Sequence, residues 1–225
     1  MSTKEKQYFK PLMKSKKKHG FARFGLMSND TWVNNPTRTV FCMSRYKFVA
    51  KILSGHKDVL EIGSADGFYS RIVKQHVKNL TIIDFDPIFI EDFKSADKNR
   101  SQIIAKVHDI IKKPLNKRYN AIYSLDVLEH ISPKKEKTFF KNCLKSLDKN
   151  GIFIVGMPSL ESQKYASKQS KEGHVNCKSG ENLKKLLNKY FINNFVFSMN
   201  DEVVHTGFFP MAHYLIGIGC GVKVK

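Results

Sequence analysis

Between Asp58 and Tyr69 the chain reads Asp-Val-Leu-Glu-Ile-Gly-Ser-Ala-Asp-Gly-Phe-Tyr, and no other stretch restricts its fold as much. Val59 to Ile62 has the length and β-branched content of a buried parallel strand. It stops at a turn bracketed by Gly63 and Gly67, and a helical pattern starts at once, with Phe68, Ile72, Val73 and Val77 at three- and four-residue spacing. An α/β sheet builds a nucleotide crevice from strand, glycine turn and helix, because a residue without Cβ lets the backbone approach a ligand. Many βα turns share that outline. Its weight comes from the matching parts further along.

A second strand, Leu80 to Ile83, ends at Asp84, 17 residues after Gly67, where an acid can accept hydrogen bonds from a ribose diol. Asp84-Phe85-Asp86-Pro87 then opens a helix. A third strand at Ile103 to Val107 is followed by His108-Asp109-Ile110, again a polar residue at a strand's carboxyl end, facing the same crevice. The fourth, Ala121 to Ser124, leads into Leu125-Asp126-Val127-Leu128-Glu129-His130-Ile131. Ser132-Pro133 starts a helix through Leu147, with Asn150-Gly151 as its cap. The fifth strand, Ile152 to Val155, precedes a polar stretch at 160–179 that reads as a long loop. A helix at Asn182 to Phe191 and two closing strands, Asn194 to Met199 and His213 to Gly219, complete an alternating α/β pattern.

Ahead of the organising strand, three segments differ in character. Residues 1–20 carry Lys4, Lys6, Lys10, Lys14, Lys16, Lys17 and Lys18 against one acid, Glu5, and read as a basic, mobile tail. Residues 21–36 read as irregular chain anchored by Trp32. From Thr37 to Leu53 the apolar positions Val40, Phe41, Phe48, Val49, Ile52 and Leu53 suit an amphipathic helix. Arg38 and Arg45, two turns apart, share one of its faces and can overhang the crevice. The expected organisation is therefore a tail at 1–20, a covering segment at 21–55 and the α/β domain with the crevice at 56–225.

The formal net charge of +19 invites a nucleic-acid partner, but only six of the 39 basic residues are arginine. Phosphate and base-edge recognition favours arginine's bidentate fork, so the excess fits an anionic small substrate as well. The four cysteines are scattered without metal spacing, which points to a reducing compartment and against a structural zinc. The basic amino terminus has no apolar core of the signal-peptide kind, and no apolar run is long enough to span a bilayer. A cytoplasmic protein is expected.

Taken together, Val59-Leu60-Glu61-Ile62-Gly63, Gly67, Asp84, Asp109 and Asp126-Val127-Leu128-Glu129-His130-Ile131 resemble the class I S-adenosylmethionine-dependent methyltransferases. The likeness is greatest to the branch with the ubiquinone-biosynthesis O-methyltransferases and many sugar and small-molecule enzymes, and it covers about residues 56–220. It implies a Rossmann-like α/β fold: a seven-stranded, mostly parallel sheet with helices on both faces and an antiparallel last strand. It implies that Gly63, Ser64, Ala65, Gly67 and Tyr69 surround the methionine part of the cofactor S-adenosyl-L-methionine, released as S-adenosyl-L-homocysteine. Glu61 holds this region through hydrogen bonds, Asp84 with Phe85 beside it binds the ribose, Asp109 accepts from the adenine amino group, and Ile110 lies against the ring. The backbone at Ser124 or Leu125 contacts the methionine amine. Ala65 stands where the family often has a middle glycine.

A nicotinamide dinucleotide is the rival cofactor, but the spacing Gly63-x-x-x-Gly67 is not G-x-G-x-x-G, and Asp66 would set a carboxylate beside a pyrophosphate. Methyl transfer to a hydroxyl benefits from a general base, and His130 and His174 are the candidates. His130 alternatively ties its helix to the sheet, and His174 alternatively anchors the polar loop. His205 and His213 are weaker candidates, and no carboxylate–histidine set at metal spacing is visible, so no metal is expected. The expected reaction is methylation of oxygen, less so nitrogen, on a small anionic metabolite such as a sugar nucleotide or phosphoryl compound. The alternative is an RNA or other nucleic-acid methyltransferase that uses the lysine tail as an electrostatic clamp.

Overall fold

A computed structural model describes residues 4–98 and 100–223. Eight strands form one sheet: β1 (Asp58–Ile62), β2 (Asn79–Asp84), β3 (Ile104–Val107), β4 (Tyr119–Leu125), β5 (Leu147–Pro158), β6 (Phe191–Asn200), β7 (Val203–His205) and β8 (Tyr214–Val222). Their order is β3-β2-β1-β4-β5-β8-β6-β7. The first five pair in parallel, and β8 lies antiparallel between β5 and β6. The expectation of seven strands is corrected to eight. The extra one is β7, which folds back on β6 after Asp201 at φ +51°. Three residues are too few to show a strand periodicity in sequence, yet a short edge strand blunts the sheet's open edge.

The helices are α1 (Lys6–His19), α2 (Leu26–Asn34), α3 (Pro36–Ile52), α4 (Ser70–Lys74), α5 (Pro87–Asp97), α6 (Pro133–Lys145), α7 (Lys168–Gly173) and α8 (Gly180–Asn188). Their starts are written locally. Asn35 accepts from Arg38 N at 3.3 Å ahead of Pro36, Asp86 accepts from Ile88 N at 3.1 Å ahead of Pro87, and Ser179 accepts from Asn182 N at 3.3 Å. The lysine-rich segment contains α1, which exposes Tyr8, Leu12 and Met13. Residues 21–36, expected to be irregular, contain α2. The polar stretch at 160–179 contains a 3-10 turn, Glu161–Tyr165, and α7. Asn150 and Gly151 lie inside β5 and cap no helix, because α6 stops at Lys145 and Leu147 already pairs with Tyr119.

Strand alternation divides the core between the two sheet faces. Val59, Ala121, Tyr123, Ile154 and Ile216 point toward α3, α4 and α5, where Val49, Leu53, Val73 and Phe93 are buried. Leu60, Ile122, Phe153, Val155 and Leu215 point the other way, onto Phe139, Phe140 and Cys143 of α6 and Leu183 and Leu187 of α8. Helices therefore cover both faces. Among the described residues no helix is long and apolar enough to cross a membrane.

Candidate functional site

The strand order reverses between β1 and β4, and in an open α/β sheet the carboxyl ends at such a reversal border a ligand crevice. The turn after β1 holds three left-handed residues, Gly63 at φ +75°, Ala65 at +45° and Gly67 at +63°. A Cβ on Gly63 would lie 2.2 Å from Val127 Cγ2, and one on Gly67 would lie 2.7 Å from the Phe93 ring, so both glycines are required by space as well as by φ. Gly63 N and Ser64 N donate to Ile83 O at 2.8 and 3.1 Å, which fastens the turn to β2.

Asp84, at the end of β2, accepts from Ala65 N at 2.9 Å through Oδ2 and from Asp86 N at 3.0 Å through Oδ1. Burial pushes its carboxyl above the ordinary range despite these donors. The Phe85 amide is a third backbone donor to the same carboxylate, which keeps acceptor capacity beyond these three. Phe85 follows with its ring exposed. Beyond β3, Asp109 accepts from Ile111 N at 2.9 Å, and Ile110 is buried beside it. Ser124 and Leu125 are buried at the end of β4, and Ser124 Oγ has no hydrogen-bond partner among the described residues. Glu61 lies beneath the turn and accepts from Tyr46 OH at 2.7 Å and Tyr123 OH at 2.6 Å. Burial raises its pKa, and its contacts are those of a brace. Tyr69 packs on Tyr46 with centroids 5.5 Å apart.

The residues that strap α2 to this turn were not singled out by sequence reasoning. Asp66, buried, accepts from Ser28 N at 2.7 Å, Ser28 Oγ at 2.9 Å and Phe68 N at 3.1 Å. Gly25 passes so close that a Cβ there would sit 2.3 Å from Asp66 Cβ. Phe24 packs on Phe68 at 4.7 Å and on Trp32 at 5.4 Å. The sequence signals were Trp32 as an anchor of this segment and a carboxylate inside the glycine turn.

On the far side of the crevice, Arg45 Nη1 donates to both Asp126 oxygens at 3.0 and 2.9 Å, and its guanidinium lies 3.7 Å above the Tyr214 ring. The Asp126 backbone is left-handed at φ +56°. Exposed Arg38 lies close enough to Cys42 and His174 to act on their charge. The 3-10 turn Leu128–His130 brings His130 to 5.1 Å from His174, ring centroid to ring centroid. His130 Nδ1 meets Gly173 O at 3.0 Å and His174 Nδ1 meets Gln163 Oε1 at 2.8 Å. Gln163 Nε2 donates to Ser159 O, which fixes the amide orientation. Both Nδ1 atoms therefore carry the proton, and both Nε2 atoms present a lone pair. Burial, and then His130, hold the His174 pKa below the ordinary value. Glu129 is buried, neither carboxylate oxygen has a hydrogen-bond partner among the described residues, and burial and Asp126 push its pKa well up. One ligating atom each from Glu129, His130 and His174 lies within 4.8 Å of the others. No such set was visible in sequence, because 44 residues separate His130 from His174. His205, at 2.9 Å from Asn200 Oδ1, and His213, at 3.8 Å from Asp201, belong to the β6–β8 end and not to this group.

A family model described as a methyltransferase domain matches residues 36–190. Nodulation protein S of Azorhizobium caulinodans is 31% identical over 104 residues, a match spanning 45% of this chain and 49% of that protein. Among solved structures, the N-methyltransferase NodS from Bradyrhizobium japonicum WM9 in complex with S-adenosyl-L-homocysteine superposes with a TM-score of 0.61 at 20% identity, covering 84% of this chain and 90% of that one. A complex of DhpI with SAM and HEP gives a TM-score of 0.61 at 12% identity, covering 87% and 90%.

Proposed function

The chain belongs to the class I S-adenosylmethionine-dependent methyltransferase family, and on that premise we propose that it moves a methyl group to an oxygen of a small anionic metabolite, such as a sugar nucleotide or phosphoryl compound. Nitrogen is the less favoured acceptor atom, supported by the likeness to an N-methyltransferase. One observation supports the choice of acceptor: exposed Arg38, whose charge reaches His174, can anchor an anion near a histidine whose Nδ1 is taken up by Gln163, which leaves Nε2 to accept a proton.

The chain's residues fit the cofactor. The Gly63–Gly67 turn has no room for added Cβ atoms and supplies a close backbone surface for the amino-acid part. Asp84, with acceptor capacity left beyond its backbone donors, accepts from the ribose hydroxyls, and Phe85 presents an exposed ring alongside. Asp109 accepts from the adenine amino group and Ile110 supports the ring. The backbone of Ser124 or Leu125 takes the amine. The bound sulfonium supplies an already activated methyl. The protein's task is to align the acceptor with that carbon and exclude water. The strap of Phe24, Gly25 and Ser28 over the turn serves the exclusion. His174, kept neutral near pH 7 by its lowered pKa, takes the hydroxyl proton at Nε2, with His130 as the second candidate.

Calorimetric titration with S-adenosylhomocysteine and with NADH tests the cofactor reading. S-adenosylhomocysteine binds, NADH does not, and Asp84→Ala weakens binding by ~10-fold or more, about 1.4 kcal/mol. Binding of NADH alone overturns it.

A second reading has its own observation: α1 carries Lys10, Lys14, Lys17 and Lys18 exposed, a surface suited to a polyanion such as RNA. It predicts RNA affinity that falls steeply with salt, which an anisotropy titration measures.

A further inference from the structure

We propose that α1 docks on an anionic lipid bilayer, lying flat in the interface with its apolar side toward the acyl chains and its lysines on the headgroups. This does not rest on the methyl-transfer reading.

At 3.6 residues per turn, each residue advances about 100° around the helix. Tyr8, Leu12, Phe9 and Met13 then share a sector of about 140°, and Lys17, Lys10, Lys14 and Lys18 share a neighbouring one of about 100°. No acid and no arginine occurs from Gln7 to Gly20. Lys16 falls inside the apolar sector, but its Nζ lies 4.9 Å from the centroid of the exposed Phe21 ring, which carries the apolar side on past the helix end.

A helix of 14 residues with Pro11 inside it owes little to propensity and gains most from packing an apolar side. Among the described residues the body covers little of that side. Tyr8, Leu12 and Met13 are 54%, 58% and 45% exposed, and of the four only Phe9 is partly buried. An apolar stripe bordered by cations matches the boundary between acyl chains and anionic headgroups, where buried area and charge act together. Lysine suits that boundary, because its stem lies along apolar surface while the ammonium reaches the headgroups. An RNA partner would use the lysines but leave Leu12 and Met13 idle, since bases stack on aromatic side chains and not on aliphatic ones.

The helix is also held in place. Gly20 N donates to Lys16 O at 2.8 Å, Arg100 donates to His19 O, Arg23 pairs with Asp92, and Leu26 N donates to Asp92 Oδ2 at 2.9 Å. These bonds tie the carboxyl end of α1 to α5 and the loop behind it, so docking orients the whole domain on the bilayer.

The test is co-sedimentation of the full chain with extruded vesicles of phosphatidylcholine, alone or mixed ~3:1 with phosphatidylglycerol. Binding to the mixed vesicles is at least ~10-fold tighter than to phosphatidylcholine alone. Lys14→Gln with Lys17→Gln weakens it ~20-fold, from about fivefold for each lysine, and Leu12→Gln with Met13→Gln weakens it by more than ~10-fold. Glutamine is nearly as good a helix former as leucine, methionine or lysine, and all four positions are exposed, so thermal melts of both variants match the parent. Vesicle binding that is absent, or that the Leu12 and Met13 changes leave intact, overturns the proposal. Without vesicle binding, affinity for a single-stranded RNA oligonucleotide that ignores those two changes assigns the helix to a polyanion. A dimer in sedimentation velocity that they abolish assigns its apolar side to a second copy.

Discussion

Gly63→Ala perturbs the turn on which the crevice is built, and its cost can be worked from the structure. Left-handed backbone at φ +75° costs an L-residue roughly 1–2 kcal/mol. The new methyl would also stand 2.2 Å from Val127 Cγ2, an overlap that must be relieved by moving a packed side chain, at about 1–3 kcal/mol. The sum, about 2–5 kcal/mol, is a large share of the ~5–15 kcal/mol that holds a domain folded. The two parts separate experimentally. Val127→Ala removes the clashing methyl but not the φ strain, so the double variant is more stable than the sum of the single losses by about 1–3 kcal/mol. Urea unfolding of the four proteins measures this coupling. Calorimetry on the folded fraction follows S-adenosylhomocysteine affinity, which falls in Gly63→Ala and recovers in part in the double variant. Additive single losses would refute the contact, and a neutral Gly63→Ala would refute both parts of the reasoning.

Ala65 stands at φ +45°, so Ala65→Gly relieves left-handed strain of about 1–2 kcal/mol, against ~0.4–1 kcal/mol of added unfolded-chain entropy. A small gain in melting temperature is expected, and a loss would show that the methyl is held by packing. Glu129 supplies a pH test in metal-free buffer. Its folded-state pKa lies well above the ordinary 4.5, so below that value the carboxyl is neutral in both states and costs nothing. As pH rises toward the folded-state pKa, the unfolded chain ionises first and native stability is lost. Glu129→Gln should match the parent in the acid range and exceed it at pH 8 by ~1–3 kcal/mol. Melting curves that coincide at both ends contradict this.

The positions of the candidate cofactor residues in the fold were legible because each sits at a strand's carboxyl end and is marked locally. Gly63 and Gly67 bracket the turn, and Asp84 and Asp109 follow β2 and β3 directly. The boundaries that moved did so for tertiary reasons. Leu147 joins β5 early by pairing with Tyr119, so Asn150 and Gly151 could not be read as strand. Asp66 was visible only as a charge misplaced for a pyrophosphate. Its actual partner, Ser28, lies 38 residues earlier in a segment with no clear period. The Glu129–His130–His174 set stayed hidden for a like reason. His174 reaches the other two through backbone bonds from Val175 and Asn176 to Glu129, and no spacing rule encodes such a clamp.

The most direct test of the central claim is a transfer assay with methyl-labelled S-adenosylmethionine and a cell extract split into metabolite, nucleic-acid and protein fractions. Label in the metabolite fraction, on a compound retained by anion exchange, is the predicted result. Label confined to nucleic acid, or none in any fraction despite tight S-adenosylhomocysteine binding, would contradict it.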